Sequence, residues 1–308
     1  MMETMYDLII VGSGPAGMTA AVYASRANIK TVILEAGAPG GKMLKTMEIE
    51  NWPGVTHGIS PQIAYEMHKH STAFGAEFKM GEVAQVIVNE NDGKEIHLTN
   101  GEVLTAKAVI IATGTKERPL PLPNAEKLTG RGISYCAICD GAFFRNKHVA
   151  VIGGGNSAVE EAIHLAKTSA KVTLIHRREG FRADHILLER LEALENVEIM
   201  RNYVVDEVLE AENKVAGIVV KNVLTEELLT LADVEGVFVY VGVDPITAMV
   251  ADLHITNEWG YLLVNSDMET SVPGIYGAGD VIDKKIRQVV TAVNDGAIAA
   301  ESVKHQLS

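Results

Sequence analysis

One pattern leaves this chain little choice of fold, because it occurs twice. Leu8-Ile9-Ile10-Val11 reads as a short buried strand. Gly12-Ser13-Gly14-Pro15-Ala16-Gly17 follows at once, then a helix rich in small residues from Met18 to Ala27, then a strand from Thr31 to Leu34 ending at Glu35. Glycines at this spacing tighten the turn and let backbone approach a pyrophosphate, whose charge meets a helix N-terminus. Glu35 is placed to accept hydrogen bonds from a ribose hydroxyl. The series then returns: Val149 to Ile152, Gly153-Gly154-Gly155-Asn156-Ser157-Ala158, a helix from Val159 to about Lys167 and a strand from Lys171 to Ile175. With Gly153 in register with Gly12, Glu35 falls on His176.

That difference is chemically specific. A carboxylate repels a 2′-phosphate, whereas guanidinium groups bind it through charge-assisted hydrogen bonds. His176-Arg177-Arg178, with Arg182 four residues further on, therefore suits NADPH, and Glu35 suits an unphosphorylated adenosine ribose. The plainer alternative for the arginines is a solvated basic turn.

Between and after the fingerprints a second theme repeats. Val83 to Val88, Glu95 to Leu98 and Glu102 to Ala106 alternate around the turn signals Asp92-Gly93 and Asn100-Gly101, and the strand Val109-Ile110-Ile111 closes the run before Ala112-Thr113-Gly114. The second unit offers Val205 to Leu209, Val215 to Val220, Leu228 to Leu231 and Val237 to Val241. The expected fold is α/β, two Rossmann-like three-layer domains of the FAD/NAD(P)-binding kind, the second inserted into the first. Residues 1–115 and 244–308 form the discontinuous outer domain and 116–243 the insert. Ile275-Tyr276 then delivers Gly277-Ala278-Gly279-Asp280, whose aspartate suits a polyol such as the ribityl chain of a flavin, or equally a helix cap. Gly296 to Val303 reads as a helix whose N-terminal amides suit a flavin ring.

The only two cysteines, Cys136 and Cys139, form a C-x-x-C inside the insert. Half of a zinc site is one reading, but no further cysteine and no H-x(3–5)-H pair completes it. A redox dithiol is favoured and no metal is expected. Asp140, directly after Cys139, is the candidate acid for the sulfurs, or else a turn residue before Gly141. A composition 47% hydrophobic and 22% charged excludes disorder, and a net charge of −13 argues against a nucleic-acid partner. No apolar run approaches the roughly 18 residues of a membrane span. Met1-Met2-Glu3-Thr4 carries no basic leader, so a cytoplasmic protein is expected.

Taken together, GSGPAG, ENWPG (Glu50 to Gly54), ATG, CAICDG, GGGNSA, HRREGFRA (His176 to Ala183), GAGD and RQV resemble the low-molecular-weight, bacterial-type thioredoxin reductases over essentially the whole chain. The resemblance implies one non-covalent FAD per subunit. It would be bound by Gly12, Ser13, Gly14, Pro15, Ala16, Gly17, Glu35, Gly41, Asn51, Ala112, Thr113, Gly114, Gly279, Asp280, Arg287, Gln288 and Val289. It implies NADPH on Gly153, Gly154, Gly155, Asn156, Ser157, His176, Arg177, Arg178 and Arg182. Hydride would pass from NADPH to FAD, electrons to the Cys136–Cys139 disulfide, and then dithiol exchange would reduce thioredoxin or a thioredoxin-like redoxin. A homodimer is implied too. Rotation about Gly114-Thr115-Lys116 and Gly242-Val243-Asp244-Pro245 would let the insert serve both nicotinamide and dithiol. Three places depart from the commonest pattern: Lys42 where glutamine is usual, Ile138 where threonine is usual, and Val293-Asn294-Asp295-Gly296. A partner other than thioredoxin, a ferredoxin-driven reductase and a non-catalytic flavin-binding sensor are the competing readings.

Overall fold

The computed structural model describes residues 5–45, 48–56, 58–89 and 92–308; the N-terminal leader reading, on residues 1–4, lies outside them. The chain divides into two compact units, Met1–Lys116 with Asp244–Ser308, and Glu117–Val243.

The first unit is built on β1 (Met5–Val11), α1 (Pro15–Arg26) and β2 (Thr31–Glu35). Gly14 caps α1 and Pro15 opens it, where a missing N–H breaks no helical bond. β1 runs parallel to β2 on one side and to Val103–Ile111 on the other. Glu77–Met80 extends the sheet beyond β2, Ile275–Gly277 pairs with Val103–Ile111, and the antiparallel strands Lys94–Leu98 and Val83–Val88 complete it. Side chains alternate between faces. Leu8, Ile10, Ile33 and Ile110 therefore pack on the alanines of α1 and of the C-terminal helix, Val289–Leu307. Ile9, Val11, Val32 and Leu34 pack the other way, with Val83, Val86, Ile96 and Leu98.

Two expectations need correction. Val103–Ile111 is one continuous strand rather than two, because Lys107 does not interrupt it; it points outward and pairs with Asp7 at 2.7 Å, keeping the alternation. The C-terminal helix begins at Val289, not Gly296. Gln288 and Thr291 close its first turn as a reciprocal capping box, and Gly296 lies in its interior.

In the second unit Ile133–Ser134 and the short helix α2 (Ala137–Asp140) follow the helix Ala125–Leu128, and the first unit's plan then repeats. β3 (His148–Gly153), α3 (Asn156–Ala166) and β4 (Lys171–His176) follow, and β5 (Val234–Tyr240) inserts beside β3. The five-stranded sheet is parallel throughout, in the order Ile133–Ser134, β5, β3, β4, Val197–Arg201. Val149, Val151, Leu174 and Phe238 face α3 and Ala137. Ala150, Ile152, Val237 and Val239 face the antiparallel strands Tyr203–Ala211 and Lys214–Asn222. Both units are thus helices, parallel sheet and antiparallel strands in three layers. Among the described residues no helix is long and apolar enough to cross a membrane.

Candidate functional site

At the first fingerprint, close backbone approach explains the glycines. A Cβ on Gly12, at φ +104°, would lie 2.5 Å from the Ala112 carbonyl oxygen, and one on Gly17 would lie 2.0 Å from that of Gly12. Gly14 differs: a Cβ there would meet nothing within 4 Å, so this residue borders open space at the N-terminus of α1. Glu35 Oε2 accepts the Ser13 amide and hydroxyl hydrogens, both at 2.8 Å, and Oε1 accepts the Gly37 N–H at 2.9 Å. A carboxylate offers about four lone-pair sites, so a pinned Glu35 keeps capacity for one ribose hydroxyl.

Around this turn the fold gathers residues far apart in sequence. Asn51 Nδ2 donates to Gln288 Oε1 at 3.1 Å. Asp280 follows the glycine turn after Ile275–Gly277, and its carboxylate has no partner among the described residues. Arg287 behaves otherwise. Its guanidinium donates to the carbonyls of Asp280 at 3.2 Å and Ile282 at 3.3 Å and lies over the Tyr261 ring at 4.2 Å, so it holds the loop that carries Asp280. Lys42 donates to the Thr115 hydroxyl at 2.5 Å. Thr113 donates to the Ile246 carbonyl at 2.6 Å, and Ile246 N–H returns to Gly114 at 3.1 Å.

The second fingerprint repeats the design with a changed rim. Gly155, like Gly14, borders open space, and a Cβ on Gly153 would lie 2.6 Å from the Tyr240 carbonyl oxygen. Asn156 and Asp184 exchange two hydrogen bonds of 2.8 Å, fixing the loop that follows the arginines. His176 is buried, with its ring stacked on Phe181 at 4.7 Å and Nε2 3.0 Å from the Gly180 carbonyl. Burial pushes its pKa down, with Arg182, Arg178 and Arg177 adding to the effect against the Gly180 contact. It is the floor of the turn. Arg177, Arg178 and Arg182 are exposed, and none makes a side-chain ion pair among the described residues.

Cys136 and Cys139 are joined as a disulfide. Cys136 caps α2, its sulfur accepting the Cys139 N–H at 3.2 Å, and Cys139 is exposed. A backbone donor at one sulfur favours charge there, so on reduction the thiolate is better held at Cys136. Asp140 accepts the Ser134 hydroxyl hydrogen at 2.7 Å, and the same Ser134 oxygen receives the Cys136 N–H at 3.1 Å. Ala137 N–H donates to the Tyr240 hydroxyl at 3.1 Å.

Sequence reading missed Ser134, Tyr240 and Tyr261. Only Tyr240 left a signal, a phenol ending the otherwise apolar run Val237-Phe238-Val239. It also passed over the ion pair of Lys284 with buried Asp295 at 2.6 Å, whose same oxygen accepts the Gly279 N–H at 3.1 Å.

The glycine cradles, the open rims at Gly14 and Gly155 and the unpaired arginines fit two dinucleotides, one of them phosphorylated. Two such sites and a C-x-x-C disulfide define a class, the nucleotide-dependent flavoprotein disulfide reductases. The family described as pyridine nucleotide-disulphide oxidoreductase matches residues 6–296. The chain is 45% identical over 305 residues to the thioredoxin reductase of Bacillus subtilis, covering 98% of this chain and 95% of that one. It is 44% identical over 305 residues to that of Listeria innocua, covering 98% and 94%. It superposes on the crystal structure of Lactococcus lactis thioredoxin reductase with a TM-score of 0.95, at 43% identity, covering 97% and 98%. The chain belongs to the pyridine nucleotide-disulphide oxidoreductase family, in its bacterial thioredoxin reductase branch. It is an NADPH-dependent flavoprotein disulfide reductase that uses FAD.

Proposed function

We propose that the acceptor is thioredoxin or a thioredoxin-like redoxin, reduced by exchange with Cys136 and Cys139, and that the protein works as a cytoplasmic homodimer. In this reading residues 1–115 and 244–308 hold FAD, and 116–243 carry the NADPH site and the dithiol. When bound, NADPH is the hydride donor and FAD the two-electron carrier.

The protein's own residues do the rest. Gly12, Gly14, Gly17 and the N-terminus of α1 would receive the FAD pyrophosphate, with Ser13, Pro15 and Ala16 completing that turn. Glu35 would take a ribose hydroxyl and Asp280 a ribityl hydroxyl. Gly41, Asn51, the segment Ala112 to Gly114, Gly279, Gln288 and Val289 would line the same cofactor, with Arg287 bracing the loop. Gly153, Gly155, Asn156 and Ser157 would take the NADPH pyrophosphate, and Arg177, Arg178 and Arg182 its 2′-phosphate, with His176 and Gly154 beneath them.

The single observation carrying the acceptor is the surface disulfide, Cys139 exposed, with Phe143, 75% exposed, four residues further on. An apolar ring beside a reactive pair suits a protein partner. Exposed Ile59, Tyr65 and Phe74 of the first unit supply apolar surface for a dimer. An ordinary thiol is only about 3% thiolate at pH 7, so the Cys139 N–H at Cys136 and proton exchange with Asp140 would both speed the reaction.

The test is direct. Purified protein should oxidise NADPH, and not NADH, when thioredoxin and a disulfide dye are present. Asp140→Asn should slow this turnover with flavin content normal; unchanged turnover refutes the role of Asp140. A full rate after Cys136→Ser and Cys139→Ser together would overturn the whole reading.

A further inference from the structure

Beneath the dithiol lies a carboxyl group that the reaction described above does not use. Glu161, on α3, is only 6% exposed, and its Oε2 has no hydrogen-bond partner. A buried polar atom left unpaired is costly, and in native proteins it calls for a reason. Its place suggests one. α3 packs against α2, with Ala158, Ala162 and Leu165 in one apolar cluster with Ala137, the residue that follows Cys136. Tyr240 lies against the first turn of α3: a Cβ on Gly153 would touch both Ala158 Cβ and Tyr240 Cβ. Glu161 stands three residues beyond Ala158, on the same face of the helix. The Tyr240 hydroxyl in turn receives the Ala137 N–H. An unpaired carboxyl, a phenol and the dithiol helix are therefore stacked within one unit.

We propose that Glu161 is a positioning residue for the dithiol, its carboxyl switching the field beneath the Cys136–Cys139 turn between neutral and negative and so setting how readily the reduced pair carries a thiolate. The proposal deepens the disulfide-reductase reading and rests on it. Reduction breaks the S–S bond with two electrons supplied from NADPH and, after uptake of one proton, leaves one thiolate and one thiol. A neutral Glu161 tolerates that thiolate. An ionised Glu161 opposes it, and the thiolate in return strengthens the hold of Glu161 on its proton, so the two titrate as a pair.

Burial pushes the Glu161 carboxyl up to about 8, and the charge of Glu160 on the same helix adds to the rise. Tyr240, from β5, is pushed above the ordinary phenol range by burial first and then by Glu161; Glu117 and Asp140 add to this, while the Ala137 N–H opposes it. Glu160, Tyr240 and, through Tyr240, Glu117 and Asp140 are thus the titratable groups in play. No cation from β3, β4 or the helix His185–Glu192 contributes to the Glu161 shift.

The experiment measures alkylation of the reduced cysteines by iodoacetamide in the holoenzyme from about pH 6 to pH 10, spanning the thiol range. Samples are reduced in parallel with NADPH and with dithiothreitol. In a Cys139→Ser background, which leaves a single thiol, the protein that keeps Glu161 should show a broadened curve of two coupled ionisations, and the one that also carries Glu161→Gln a single one. The curves should coincide below neutrality and diverge where Glu161 ionises, the variant reacting about three- to tenfold faster near pH 8.5. A purely structural role would move the whole curve or none of it. Superimposable profiles, or a single ionisation in the one-thiol protein that keeps Glu161, overturn the proposal, and that curve decides the matter even if the Glu161 variant misfolds. Labelling after dithiothreitol but not after NADPH would instead break the reductase reading and leave this test standing.

Discussion

Gly154→Ala should weaken NADPH binding while leaving the flavin untouched. A Cβ at this position would lie 2.2 Å from Cε1 and Nδ1 of His176 and 2.8 Å from its Cγ. To reach ordinary contact the ring must retreat by about 1 Å, an overpacking that costs roughly 1–3 kcal/mol. The ring is not free to retreat, because it is stacked on Phe181 and held at the Gly180 carbonyl. Losing that polar contact adds about 1 kcal/mol. Any movement is passed to the turn carrying Arg177, Arg178 and Arg182, so the cost falls on the bound phosphate. Some 2 kcal/mol of lost binding is about a 30-fold rise in KM for NADPH. The assay is steady-state turnover with NADPH varied, beside the flavin absorbance of the same preparation. His176→Ala added to Gly154→Ala should recover part of the loss, since the collision is with that side chain. An unchanged KM in a fully flavinated Gly154→Ala protein would refute the reasoning.

Three further outcomes follow from the geometry. Arg178→Gln should raise KM for NADPH by about fivefold, a charge-assisted contact discounted for exposure; an unchanged KM in a fully flavinated protein would count against a 2′-phosphate contact. Asp295→Asn leaves the largely buried Lys284 cation without its anion, a loss of about 3 kcal/mol. Flavin fluorescence should then appear at lower temperature on heating, and an unaltered melting curve would contradict it. Lys107 donating to Asp7 holds that carboxyl below its ordinary value. A lowered pKa adds stability above the unfolded carboxylate range, near pH 4, and loses it as pH falls through the folded value; for this half-exposed pair that is at most about 1 kcal/mol. Asp7→Asn should flatten the acid limb of a stability–pH profile, which a parallel limb would disprove.

Both fingerprints were legible because their constraints are local: a glycine forced by a carbonyl one turn away, as at Gly17 and Gly12, leaves its mark at fixed spacing. The contrast of Glu35 with His176 was legible for the same reason. What the sequence concealed depends on contacts between distant segments. Arg287 sits in a motif that suggests a cofactor ligand, yet the carbonyls of Asp280 and Ile282 and the ring of Tyr261 take its guanidinium. His176, expected at the nucleotide, is buried with its ring stacked on Phe181, a contact the sequence does not announce. Glu161 is one of two adjacent acids on α3. Nothing in Val159-Glu160-Glu161-Ala162 says which of the pair turns inward, because that depends on where α2 packs.

The close approaches at Gly17 and Gly296 have an evolutionary consequence. There an added methyl would strike main-chain oxygens, Gly12 at 2.0 Å and Ala16 at 2.1 Å, whereas at Gly154 it strikes an imidazole. Imidazoles can be traded for something smaller; a peptide oxygen is the same in every residue type. A genetic screen should therefore yield second-site revertants of alanine at 154 and none at 17 or 296, so that Gly296, seated on the Ala16 carbonyl, ties the last helix to the first fingerprint across any lineage that keeps this architecture.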